Sequence, residues 1–142
     1  MERAARLKKA QHNESFCHYV HNGGQFHDWT VNAAFYAALH YVCYHIFPLT
    51  DEYNDDEGND VFEFKSVEEY KRHYNLKISK HEILSNLVAE LIPNIHPDYD
   101  QLRDMCQTSR YHNYELGYKK AELAIKLLNK IKAGLSLPAE TN

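Results

Sequence analysis

The amino-acid sequence predicts an all-α fold: a bundle of about five helices, built as two helical hairpins plus a short helix. Three observations predict it. Apolar residues recur at helical spacing over most of the chain. Ser-x-x-Glu capping boxes stand at Ser66–Glu69 and Ser79–Glu82, where each serine can accept a free amide of a first helical turn. No long stretch alternates with the two-residue period of a strand. At 142 residues the chain is long enough for one domain with a real core, expected over 1–135, followed by a polar tail at 136–142.

Residues 1–21 read as a first helix, with Ala4, Leu7, Ala10, Glu14, Cys17 and His21 recurring on one side. Asn22-Gly23-Gly24 ends it, because glycine adopts a left-handed cap at no steric cost. The short connection that follows implies an antiparallel hairpin with 28–47, the longest apolar segment and the one that holds the only tryptophan. Trp29, Ala33, Tyr36, Ala37, His40, Cys43, Tyr44 and Phe47 share a face of this segment, and Val31, Ala34, Phe35, Ala38, Val42 and Ile46 cover much of the rest. A helix apolar nearly all round is expected at the centre of a bundle. Asp28 is the expected N-cap, and Pro48 the stop. His40, His45, Asn32 and several tyrosines interrupt the segment too often for a membrane span, so no membrane partner is expected.

Residues 49–64 change character. DEYNDDEGND is acidic, and its glycine and glutamates miss the offsets of a helix-loop-helix calcium site, so a solvated loop over 51–60 is expected, with a short extended piece at Val61–Phe64. Short helical patterns follow at 66–73 and 79–92, the second ended by Pro93. Pro97 suits the first turn of a helix over 98–111. A last helix runs to about Lys132, with Ala121, Ala124, Ile125, Leu128 and Ile131 facing inward and Gly134 as the expected C-cap.

The net charge of −4 argues against a chain that coats nucleic acid, while leaving room for a local basic patch. Three separated cysteines in apolar helical settings point to free thiols and a reducing cytoplasm. Ten histidines invite a metal reading, but no two lie at the HxxxH spacing of a one-face helical ligand pair and no CxxC or HExxH is present; no metal and no cofactor are expected. His40 reads as a core histidine hydrogen-bonded to a neighbour, and Cys106 as a structural thiol. Arg103, Arg110, Lys119 and Lys120 interleaved with Tyr111, Tyr114 and Tyr118 form the basic, aromatic stretch that suits phosphates and bases or a subunit interface. With 11 tyrosines in the chain, a symmetric dimer is expected through this stretch, with 51–60 away from it.

Asp28-Trp29-Thr30 followed by Ala33-Ala34-Phe35-Tyr36-Ala37-Ala38-Leu39-His40 resembles the "DW…FYAALH" signature of small HEPN-like helical proteins. Their later landmarks are matched by His81, by Tyr99 and Leu102, by Cys106 at a serine position, and by the triplet Ser109-Arg110-Tyr111. The resemblance implies a helical homodimer that binds RNA or a nucleotide, in a toxin–antitoxin, defence or mobile-element context. For a metal-independent ribonuclease it implies His81, His112, Arg103 and Arg110 as catalytic candidates, with His40, Tyr36 and Tyr111 binding or positioning. The Arg-x4-6-His pattern of nuclease members is not intact, since His112 follows Arg110 too closely and Arg103 too distantly. Two other readings stand beside this one: a non-catalytic dimer that binds a protein partner, antitoxin-like or scaffolding, and a metal-dependent bundle enzyme. Histidines and arginine converging in one open cleft favour the first reading. Histidines buried in tyrosine hydrogen bonds favour the second, and three ligands at one centre the third.

Overall fold

The helical periodicity is realised as α1 (Arg3–Asn22), α2 (His27–Ile46), α3 (Val67–Tyr74), α4 (Lys80–Leu91), α5 (His96–Tyr111) and α6 (Tyr118–Gly134), with a 3-10 turn at Pro93–Ile95. The structure, a computed structural model, describes residues 2–55, 58–111 and 117–137, with side chains described outside 52–60 and 109–111. The fold is an all-α bundle with six helices among the described residues, rather than about five.

Both capping boxes form. Ser66 Oγ accepts from the Glu69 amide at 3.2 Å, and Ser79 Oγ from the Glu82 amide at 3.1 Å. Phe47, held extended by Pro48, ends α2. The start of α2 differs from expectation. Its N-cap is Phe26, in the left-handed region at φ 56°, and Asp28 lies inside the first turn, where a carboxylate still complements the helix dipole. Gly134 is likewise not a cap. It is the last residue of α6, and a Cβ there would collide with Cγ2 of the buried Ile95. Glycine is needed at this point for close approach of α6 to the 3-10 turn.

α2 lies at the centre, packed on α1, α5 and α6. Ala33, Ala34, Ala37 and Ala38 are all buried and keep the neighbouring helices close. The sides that the neighbours cover carry Thr30, Val31, Phe35, Tyr41 and Val42. The face expected to be innermost is split: Ala33, Ala37, Cys43 and Phe47 are buried, but Trp29 is 54% exposed and Tyr36 and His40 are only partly covered.

A buried ion pair joins three helices. Inward-facing residues of α1 are Arg6, Ala10, Glu14 and Cys17, so this stripe carries a charge near each end. Glu14 is 1% exposed and Lys132 of α6 is 3% exposed. Lys132 Nζ donates to both Glu14 oxygens, at 2.8 and 3.0 Å, and Tyr41 OH of α2 donates to Oε1 at 2.6 Å. Three hydrogen bonds to one carboxylate are the compensation that a buried charge requires.

Residues 49–64 correct the expectation of a loop over 51–60, while the extended piece expected at Val61–Phe64 is the end of a strand. β1 (Leu49–Asp55) and β2 (Gly58–Phe64) pair antiparallel, with Leu49 opposite Phe64 and Asp51 opposite Phe62. Aspartate and asparagine are poor strand formers, and the pairing is anchored by aromatic packing instead. Phe64 meets Tyr70 and Tyr74 of α3 at ring separations of 5.3 and 5.7 Å, Phe62 meets His73 at 4.4 Å, and Tyr74 OH donates to Asp51.

Candidate functional site: a cationic cleft over the open face of α2

Tyr36, Leu39, His40 and Cys43 follow one another at helical spacing along the open face of α2 and form the floor of a cleft. Arg6 of α1 closes one side. Ser66, Val67 and Glu68 at the start of α3, and Lys80, His81 and Leu84 at the start of α4, form the others. The cleft encloses about 510 Å³. The positive ends of two helix dipoles therefore border it.

Arg6 is its least ordinary member. It is 8% exposed, its Nε is out of water without a hydrogen-bond partner, and it makes no ion pair among the described residues. The Phe47 ring centroid lies 5.9 Å from the guanidinium carbon. Glu68 lines the same cleft, and Glu2 and Glu63 line a second hollow that Arg6 shares, but none is paired with it. A buried guanidinium without a directly paired carboxylate is costly, in contrast to Lys132 at the other end of the bundle. Lys80 is paired with Glu68 at 3.3 Å. Burial opposes ionisation of Glu68, but its own backbone amide, Lys80 and Ser66 outweigh that and hold its carboxyl below the ordinary value.

His40 departs from the expected core histidine. The imidazole lines the cleft, and its buried Nδ1 has no hydrogen-bond partner. Burial lowers its pKa from the ordinary 6.5, and the charges of Lys9 and Arg6 push the same way. The stripe that His40 shares with Trp29 and Tyr36 is only partly covered: Ala33, Ala37 and Cys43 are buried, and Trp29, Tyr36 and His40 border open space. His81, in the first turn of α4, has its ring 6.0 Å from that of Phe35. Burial pushes the Cys43 thiol up to about 11, with Arg6 working against it and Glu68 with it, so this thiol is a poor nucleophile at neutral pH.

The structure thus brings His40, His81 and Tyr36 together around one cleft. Arg103 lies on α5 and does not line it. His112 and Tyr114 fall outside the described residues, as do the side chains of Arg110 and Tyr111. Tyr99, one of the landmarks of the resemblance, is wholly buried in the core. Cys106 is buried and donates to Asn32 Oδ1 at 3.3 Å, an α5–α2 tie. Arg6 was missed by the sequence reading, although the spacing of residues 6, 10, 14 and 17 places it on one helix face with Ala10, Glu14 and Cys17.

Ser85, His96 and Asp100 also meet, without the geometry of a nucleophilic triad. Ser85 Oγ donates to Asp100 Oδ1 at 2.6 Å, and His96 Nε2 lies 3.3 Å from the same Oγ and 3.1 Å from Asp100 Oδ2. A triad uses opposite ring nitrogens for its serine and its carboxylate; here one nitrogen faces both, and the cluster ties α4 to α5. Among the described residues no group of three His, Cys, Asp or Glu side chains is placed to hold a metal ion, and no helix is long and apolar enough to cross a membrane. No known protein family, curated protein or solved structure matches the chain.

Proposed function

We propose that this chain is a HEPN-like helical protein that binds RNA or a nucleotide through its phosphate in the cleft between α2, α3 and α4. The observation that carries the reading is the buried guanidinium of Arg6, without an ion-pair partner among the described residues, on the cleft that His40 also lines. An anion arriving there supplies a directly paired counter-charge, and arginine presents a planar pair of donors that fits a phosphate. Lys9 lies near enough to act on His40, and adds positive charge to a cleft in which Lys80 is balanced by Glu68. Metal-independent cleavage of RNA is the reaction that such a set suits. One of His40 and His81 takes the proton of a 2′-hydroxyl, whose oxygen bonds to phosphorus as the bond to the 5′-oxygen breaks. The other protonates that leaving oxygen, a 2′,3′-cyclic phosphate remains, and Arg6 stabilises the charge on the non-bridging oxygens.

Pyrophosphate and a mixed-sequence single-stranded RNA octamer are the probes, followed by NMR of the histidine side chains. The His40 resonances are expected to move on titration with either. The pH dependence has a definite sign. Because the folded pKa of His40 lies below its unfolded value, its contribution to stability is intact above about pH 6.5 and is lost as pH falls through the folded value. Anion binding favours the imidazolium and shifts the other way, so pyrophosphate affinity is expected to rise over the window in which stability falls. Absence of binding by both probes at low salt overturns the reading.

A homodimer is part of the proposal. Tyr41 and Tyr99 pack inside the chain and Tyr70 is partly buried, but Tyr19, Phe26 and Tyr118 are exposed, and Tyr118 stacks on His21 at 4.9 Å and meets His27 edge-on at 6.0 Å. These contacts set Tyr118 beside the α1–α2 turn that holds Phe26, the kind of aromatic surface that subunit interfaces use. This surface also supports the second reading, a dimer that engages a protein partner. Sedimentation in the micromolar range is expected to give twice the chain mass; a monomer refutes the dimer.

A further inference from the structure

We propose that the concavity lined by Phe16, Asp28, Trp29, Asn32 and Tyr36 is a nucleobase-stacking subsite, continuous with the phosphate cleft and built for a single-stranded RNA. The inference rests on the reading of the cleft given above. Three observations carry it. The two depressions share Tyr36, and both follow the open face of α2: Trp29, Asn32, Ala33 and Tyr36 floor one, and Tyr36, Leu39, His40 and Cys43 the other. From Trp29 to His40 the helix rises about 16 Å, so a short oligonucleotide, rather than a mononucleotide, reaches both. Secondly, Trp29 and Phe16 present rings to solvent, at 54% and 43% exposure, around a space of about 500 Å³. Aromatic faces beside a cationic groove are what single-stranded nucleic acid uses, each base stacking while the backbone follows the charge.

The third observation is the chemistry of the rim. No lysine or arginine lines this concavity; its charged member is Asp28, with Asn13 and Asn32 beside it. A carboxylate repels phosphate and accepts hydrogen bonds from N–H groups on the edge of a base. Guanine offers adjacent ring and exocyclic N–H donors, so Asp28 assigns the subsite a preference for guanine over uracil. Phosphate belongs at Arg6, and the base belongs at Trp29.

Trp29 is the only tryptophan, so its fluorescence reports on this subsite alone. The probes are the hexanucleotides UUGUUU and UUUUUU, with pyrophosphate as the ligand of the phosphate cleft alone. UUGUUU is expected to quench Trp29 and to bind more tightly than UUUUUU, a preference lost in Asp28→Asn. Trp29→Ala is expected to weaken UUGUUU about tenfold or more and to leave pyrophosphate unaffected, with Trp29→Phe restoring most of the affinity. If pyrophosphate binds but UUGUUU is indifferent to Trp29→Ala, the subsite is wrong and the phosphate cleft stands. If neither binds, both fall. If Trp29 emission instead follows protein concentration as the mass doubles, this face lies between two copies and the subsite is overturned.

Discussion

Glu14→Ala is expected to destabilise the fold by about 3–5 kcal/mol, the largest effect of any single substitution proposed here. The carboxylate is the common acceptor for Lys132 Nζ and Tyr41 OH, and its removal strands an ammonium that is 3% exposed. Lys132→Ala is expected to be comparably damaging, because it leaves the carboxylate buried with Tyr41 as its remaining close donor. The pair contributes mainly by mutual compensation, so the double variant Glu14→Leu/Lys132→Met is expected to recover much of the loss. Urea denaturation with linear extrapolation measures all three. A single variant within about 1 kcal/mol of the parent, or a double variant as unstable as the two singles summed, contradicts this account.

Arg6→Met is expected to act in the opposite direction on stability and to cause the largest loss of binding. Removing a buried guanidinium without a directly paired carboxylate takes away a desolvation penalty while the methionine chain keeps much of the packing, so the denaturation midpoint is expected to hold or rise. Pyrophosphate affinity is expected to fall about 10- to 100-fold, the range for losing charge-assisted hydrogen bonds to a phosphate. RNA affinity is expected to fall with it, and the slope of log affinity against log salt to become shallower. Calorimetric titration against pyrophosphate, with the melt recorded alongside, tests both halves. Unchanged affinity removes Arg6 from the site. A lower melting midpoint means that the guanidinium is a structural partner after all. Two charges on one stripe of α1 thus differ: Glu14 is paired with Lys132, and Arg6 makes no ion pair among the described residues.

The local chemistry was legible from sequence. Ser66 and Ser79 cap the helices they precede, Pro48 and Pro93 stop helices, and the apolar run through 28–47 becomes the central helix, because each of these outcomes depends on interactions within a few residues. The antiparallel α1–α2 hairpin followed from the brevity of its connection. Of the strands at 49–64 only the alternating Val61–Phe64 was legible; the rest was not, because β1 and β2 are held by Phe62, Phe64, Tyr70 and Tyr74 meeting across separate elements, while the acidic composition of 51–60 reads as coil.

The site divides in the same way. Helical spacing alone put Trp29, Tyr36 and His40 on one face, and the structure keeps them there. Whether that face is inside or outside is a property of the neighbours: α1, α5 and α6 cover the other sides of α2 and leave this one as the floor of two adjoining hollows. Only that arrangement makes His40 a cleft residue rather than a core residue, and brings Arg6, His81 and Lys80 to it from positions far apart in the chain. The sequence by itself determined which segments are helical and which residues share a face, because those are matters of period and capping. The tertiary structure decided which faces are covered and which charges find partners: Glu14 meets Lys132 across 118 positions, a distance over which no local pattern carries information.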